Sequence, residues 1–321
     1  MFKNLVISGA GMRIVSIIGA ITCFVENDPI ILKNVSTFVG SSAGAVSCFF
    51  LCCDVHVFRM KQILFDAIEE MGNTSINIDN IFNVYNTLGI DDAKILKNAL
   101  QKVILEKFNV SDINFIDFAK LTGKNLVITV SNVSKSKCEF WCVDTTPLHS
   151  VIDAIMASCA IPIVCRPFIR DGNIYCDGAV YNYFPIDYFA PHELQDTLGI
   201  CLETTNTSAN TLNKKQDLNL LSFILLLVNS SINVINRMNT CPYERSKNNV
   251  VLDIKTDDDV DTCFNFRLMK YSISQTQFNV LFESGYNQAL TFFSQYKRDS
   301  DKDENEDEST LCSEQQIVVD Q

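Results

Sequence analysis

The chain of 321 residues holds only three histidines, His56, His149 and His192. Any serine, histidine and acid triad therefore has three candidate bases and no more. Its thirteen cysteines include no C-x-x-C pair, so neither a zinc site nor a regular disulfide framework is suggested. An odd number of thiols in apolar surroundings, as at Cys48, Cys52 and Cys159, is expected to be free and buried in a reducing compartment. MFKNLVISGAG is broken by polar residues and glycines before a secretory apolar core can develop. A cytosolic location is expected, and sequons such as Asn132 to Ser134 then carry no meaning. Net positive charge is also missing: at −12 the chain lacks the basic face that a nucleic-acid partner requires. The strongly apolar segment from Leu218 to Val228 has eleven residues, short of the roughly twenty needed to span a bilayer. It is expected to be a core-facing helix, with an interfacial one as the alternative. Asp257, Asp258, Asp259 and Asp261 lack the spacing and glycine of a calcium loop and read as a solvated loop. No metal and no cofactor are expected.

The negative charge is uneven. Asp299 to Glu308 (DSDKDENEDE) carries seven acids against one lysine, which is −6 of the total −12. Without aromatics it cannot bury enough apolar surface to fold, and residues 298–321 are expected to be a disordered acidic tail. The length allows one large α/β domain with additions, or two domains.

Within the remaining chain the most informative stretch is Phe38 to Val46, FVGSSAGAV. It runs from an apolar segment into Gly40-Ser41-Ser42-Ala43-Gly44, the G-x-S-x-G pattern of a nucleophile elbow. Only Ser42 has glycine two residues before and two after it, so Ser42 and not Ser41 is the candidate nucleophile. Val35 to Val39 reads as a strand, and Ala43 to Cys53 as a buried helix.

A second turn precedes it. Leu5 to Ser8 is a short apolar strand, followed by Gly9-Ala10-Gly11-Met12-Arg13 and an apolar helix to Phe24. A glycine turn at a helix start offers unpaired N–H groups to a phosphate or a developing oxyanion. A dinucleotide fingerprint would need a third glycine where Ile14 stands, and no strand-ending acid follows at the required distance. An oxyanion site fits better, because acyl transfer needs both a nucleophile and oxyanion donors.

Downstream, Val55 to Glu70 and Asp91 to Phe108 have helical spacing, the second opening on Asp91 and Asp92, which suits the positive end of a helix dipole. Residues 72 to 89 read as a connecting insertion or lid. Leu126 to Val130, Glu139 to Val143, Leu198 to Leu202 and Val250 to Ile254 read as strands, and residues 150 to 159 as a helix ending before Pro162.

Ser158-Cys159-Ala160-Ile161-Pro162, a strand at Ile174-Tyr175, and Asp177-Gly178-Ala179 with Asn182 and Pro185 behind it complete the pattern. Together with SGAGMR at 8–13 and GSSAG at 40–44, this order resembles the patatin-like phospholipase family over residues 5–190. The resemblance implies a serine and aspartate dyad without histidine: Ser42 as nucleophile and Asp177 as proton acceptor. It places the oxyanion hole at Gly9, Ala10, Gly11 and Met12. Arg13 aligns with a basic residue that steadies that turn or meets a phosphate; a solvated helix-start arginine is the plainer reading. The chain departs from the family pattern at Ile14, where a glycine is usual, and at D-G-A in place of D-G-G. Alanine at position 10 would disturb the hole if φ > 0 were needed there. A Ser42, Asp177, His192 triad in α/β-hydrolase order is the competing arrangement. His56 and His149 sit where surface imidazoles are ordinary.

The expected architecture is a three-layer α/β/α sandwich around a mostly parallel sheet. Residues 5–190 form the catalytic domain, and 191–297 an α/β extension on the same core. The expected activity is hydrolysis of fatty acyl esters in phospholipids or related lipids, with peripheral membrane contact left open and no nucleic-acid partner. A lipid-binding protein with little turnover, and an acyltransferase or thioesterase using the same serine, are the alternatives.

Overall fold

The structure is a computed structural model that describes residues 2–73, 84–204, 223–224, 227, 230, 234–235, 250–256, 264–265, 270–271 and 273–317. Its centre is a sheet whose parallel strands are the short apolar runs of the sequence. They are β1 (Asn4–Ile7), β2 (Thr37–Ser41), β4 (Asn125–Asn132), β9 (Thr197–Thr204) and β10 (Val250–Thr256). β5 (Lys137–Trp141), β7 (Phe168–Arg170) and β8 (Asn173–Cys176) add an antiparallel edge. The order is β10-β9-β1-β2-β4-β8-β7, with β5 also paired to β4. Ile7 lies level with Gly40 and with Ile200, and Ser41 level with Thr129. β3 (Gly89–Asp91) pairs in parallel with β6 (Ile163–Cys165), a contact that neither run announces, while β11 (Phe264–Asn265) pairs with β12 (Lys270–Tyr271).

Alternate strand residues feed two separate cores, as a period of two requires. Leu5, Ile7, Phe38, Leu126 and Ile128 belong to one core with the helices. These are α1 (Ile14–Asn27), α2 (Ile30–Lys33), α3 (Ala43–Cys52), α4 (Val57–Asn73), α5 (Lys94–Phe108), α6 (Phe115–Thr122) and α7 (Val151–Ser158). Val6, Val39 and Val127 face the other way, against Phe184, Ile186, Phe189 and Leu194. That layer is, among the described residues, a run of 3-10 turns between Gly178 and Asp196.

The last helix, α8 (Gln275–Ile317), lies on α1. The approach is set by glycine: a Cβ on Gly19 would stand 2.1 Å from the Phe282 carbonyl oxygen, and one on Gly285 1.9 Å from that of Ser16. α8 continues through the acidic segment 299–308 to Ile317, where the composition suggested an irregular tail. No proline or glycine follows Gly285 in the helix, so each added residue gains a backbone hydrogen bond on a helix already nucleated against α1. Of Leu218 to Val228, most lies outside the described residues, but Phe223, Ile224 and Leu227 are exposed, not core-facing. Of the insertion expected over residues 72–89, residues 74–83 lie outside the described residues, as do the aspartates at 257–261. Among the described residues no helix is long and apolar enough to cross a membrane.

Candidate active site

β2 ends at Ser41 and α3 begins at Ala43, leaving a single residue to reverse the chain. Ser42 does so at φ 53, ψ −122, a conformation that ordinarily costs a non-glycine residue about 1–3 kcal/mol. A Cβ on Gly44 would lie 2.3 Å from the Ile7 carbonyl oxygen, and one on Gly40 2.5 Å from the Ala45 nitrogen. The two glycines let α3 start against the end of β1. Ser41 points elsewhere: its hydroxyl is buried with no partner among the described residues.

Ser42 is buried, and its Oγ donates to Asp177 Oδ2 at 2.6 Å. Asp177 follows β8 and caps the turn Gly178–Val180, its Oδ1 accepting the Ala179 N–H at 2.8 Å. Its own N–H donates to the Ala160 carbonyl, and the Gly178 carbonyl accepts the Ser131 hydroxyl. Burial raises the Asp177 carboxyl to about 6, against the downward pull of the Ser42 and Ala179 hydrogen bonds.

Ser158, the last residue of α7, was not singled out from the sequence as part of the site. Its Oγ accepts the Ser42 N–H at 2.8 Å and donates to the Thr129 carbonyl at 2.6 Å. One buried hydroxyl thus pins the strained residue to β4. The available signal was a lone serine in the apolar last turn of a buried helix. Beside it, burial holds the Cys159 thiol well above its ordinary value, the Asp177 charge adding to this and a hydrogen bond with Ser42 opposing it. Cys159 therefore stays protonated and does not compete as nucleophile.

The glycine turn lies next to the aspartate turn: a Cβ on Gly9 would be 3.1 Å from that of Ala179 and from the Tyr183 ring. Gly9 does not serve as an oxyanion donor, because its N–H already donates to the Tyr183 carbonyl at 2.9 Å. The N–H groups of Ala10, Gly11 and Met12 have no acceptor among the described residues. Ala10 sits at φ −153 and needs no left-handed conformation; Gly11, at φ 53, takes that part. Alanine at position 10 and Ile14, buried in the first turn of α1, are therefore compatible with the turn. Arg13 is half-buried and Nη1 donates to Thr256 Oγ1 at 3.1 Å, tying the turn to β10.

The histidines stand away from this cluster. His192 precedes Thr197, which is level with Asn4 and Thr37 at the opposite end of the sheet, roughly 13 Å along the strands from Ser41. His56 lies beyond the far end of α3, about 15 Å of helix from Ser42. His149 precedes α7, whose other end carries Ser158; it is half-buried against Trp141, 4.9 Å between ring centroids, and not the surface imidazole expected. A cavity of about 530 Å³ opens beside Asp177, lined by apolar groups that include Ala160, Cys176 and Val180.

These features converge on one family. The chain belongs to the patatin-like phospholipases, whose family pattern matches residues 5–190. It is 29% identical over 188 residues to the probable lipid hydrolase 463L of Invertebrate iridescent virus 6, covering 58% of this chain and 62% of that protein. It is 27% identical over 173 residues to 1-acylglycerol-3-phosphate O-acyltransferase Pnpla3 of Mus musculus, covering 53% and 37%. The chain thus spans less than two thirds of each of these relatives. The crystal structure of VipD from Legionella pneumophila shares the fold at a TM-score of 0.54 and 19% identity, over 92% of this chain and 67% of that one.

Proposed function

We propose that this protein hydrolyses fatty acyl esters of phospholipids or related lipids through a Ser42 and Asp177 dyad. The observation that carries the reading is the 2.6 Å hydrogen bond from Ser42 Oγ to a buried carboxylate. An aspartate at its ordinary value of about 3.9 is a weak base for a hydroxyl. Burial lifts Asp177 to about 6, nearer the pH at which a base is both ionised and effective. Ser42 Oγ attacks the ester carbonyl carbon as its proton passes to Asp177. The N–H groups of Ala10, Gly11 and Met12 receive the oxyanion, each such donor contributing roughly 3 kcal/mol in a dry site. Collapse breaks the ester C–O bond and expels the alcohol, which takes the proton from Asp177. Water, giving its proton to Asp177, then attacks the acyl carbonyl carbon; collapse breaks the bond to Ser42 Oγ, which takes the proton back from Asp177, and the fatty acid leaves.

The test is hydrolysis of a radiolabelled phospholipid by the protein and by its Ser42→Ala and Asp177→Asn forms. Release of fatty acid surviving either substitution refutes the dyad. The name of the mouse relative favours a second reading, in which a lysolipid hydroxyl replaces water as acceptor. Adding 1-acylglycerol-3-phosphate to the same assay separates the two: label appearing in a diacyl product supports transfer. A reducing compartment is the proposed setting, supported by ten free thiols among the described cysteines.

A further inference from the structure

We propose that the paired hairpins 132–137 and 168–176 form a docking edge that seats the cavity mouth on an anionic phospholipid bilayer. The inference rests on the lipid-hydrolase reading for its purpose but not for its geometry. β4 passes Ser41 at Thr129 and runs three residues further, about 10 Å, before it turns at Val133. The hairpins therefore project past Ser42 on the same end of the sheet. Their neighbouring strands align one apolar residue each. The Val133 N–H donates to the Ile174 carbonyl, and Ile174 is directly opposite Ile169. All three are exposed, Ile169 at 65% and Val133 at 43%. These exposures leave three large apolar side chains in a row near the tips of two hairpins open to water.

Two observations select the occupant. The row is continuous with the cavity, since Val133 and Ile174 line its wall together with Leu88, itself 52% exposed. A substrate acyl chain and a bilayer would thus be reached across the same rim. The charges around the rim are also unlike those of the whole chain. Lys137 is paired with Glu139 and Arg170 with Asp171, while Lys135, in the turn of the first hairpin, has no ion-pair partner among the described residues. Exposed apolar side chains flanked by Lys137, Arg170 and an unpaired lysine suit an interface bearing anionic headgroups.

The experiment uses the full chain carrying Ser42→Ala, so that vesicles are not consumed, with phosphatidylcholine vesicles made with and without phosphatidylserine. Co-sedimentation should fall roughly tenfold in Ile169→Asp and further when Val133→Ser and Ile174→Ser are added. K135Q should lose severalfold, about fivefold, on the phosphatidylserine vesicles and little on the others. Leu121→Ser, an exposed leucine just before the start of β4 at the opposite end of the sheet, should bind as the parent does. Ile169 does not line the cavity, so Ile169→Asp with Ser42 intact should hydrolyse a water-soluble butyrate ester at the parent rate. Failure of the parent to bind vesicles, or binding unchanged by Ile169→Asp, overturns the docking edge. Vesicle binding that depends on Ile169 in a protein that, with Ser42 intact, releases no fatty acid from the radiolabelled phospholipid supports the edge and instead refutes the hydrolase reading.

Discussion

Two adjacent parallel strands, β1 and β2, each turn into a helix at the same end of the sheet, yet the two turns are built oppositely. Between β2 and α3 a single residue makes the reversal, and it is a serine at φ 53. Between β1 and α1 the chain takes six residues; its left-handed position is Gly11, while Ala10 stays at φ −153. The first turn aims a side chain: the strain at Ser42 is held by Ser158 on its N–H and Asp177 on its hydroxyl. The second presents backbone, with three consecutive N–H groups unpaired among the described residues. Strain on a side-chain-bearing residue is tolerated where direction matters, and glycine is used where the main chain must be bare. Both turns lead into helix N-termini, whose partial positive charge favours an anion between them.

Substitutions should separate the two turns by the size of their effects. Ser42→Ala removes the proposed nucleophile and should lower kcat/KM by about 10³-fold or more, measured with the butyrate ester. Asp177→Asn should cost a similar factor, about 10³-fold, while making the protein more stable. The folded carboxyl titrates near 6 against about 3.9 unfolded, so the folded state binds the proton more tightly. Stability contributed by the protonated form is complete below about pH 4 and lost as pH rises through 6, by up to about 3 kcal/mol. Denaturant melts at pH 8 should show Asp177→Asn more stable than the parent. A parent kcat/KM that fails to rise through a midpoint near pH 6 would remove Asp177 as the base.

Ser158→Ala leaves the Ser42 N–H buried without an acceptor, a cost of about 1–3 kcal/mol in stability. Its kcat should drop roughly 10- to 100-fold with KM nearly unchanged, because the Ser42 hydroxyl is misaimed while the cavity is intact. Labelling of Ser42 by a fluorophosphonate should slow by the same factor; unaltered labelling would make Ser158 a packing residue only. At the other turn, Gly11→Ala should cost about 1–2 kcal/mol from its left-handed φ, with roughly tenfold in kcat if the bare amides shift. Ala10→Gly is the smallest change. At φ −153 glycine gives no relief, so kcat/KM should stay within about twofold and stability fall by at most about 1 kcal/mol.

The turns were legible because their chemistry is local. G-x-S-x-G carries its own steric requirement, and β1, β2, β4, β9 and β10 each announce themselves as short apolar runs. The use of the Gly9 N–H was not legible, since its acceptor, the Tyr183 carbonyl, lies in a turn brought alongside only when the sheet closes. Ser158 was hidden for the same reason: Thr129 and Ser42 meet it from two other elements. His192 follows Asp177 in the chain order of a triad, but strand direction carries it to the wrong end of the sheet. The acidic run at 299–308 was read from its inability to bury surface, whereas a helix already started on α1 needs only local hydrogen bonds to continue.

The sequence by itself determined the pieces that depend on neighbours along the chain: a serine between two glycines, a glycine turn opening a helix, an aspartate capping a tight turn, and strands too short and apolar to be anything but core. Tertiary structure decided which of their groups are in use. Parallel pairing puts the carboxyl ends of β1, β2 and β4 together, so residues 42, 129, 158 and 177 become hydrogen-bonded partners across gaps that no local pattern spans. Burial at that junction, and not the identity of the residue, raises the Asp177 carboxyl to about 6.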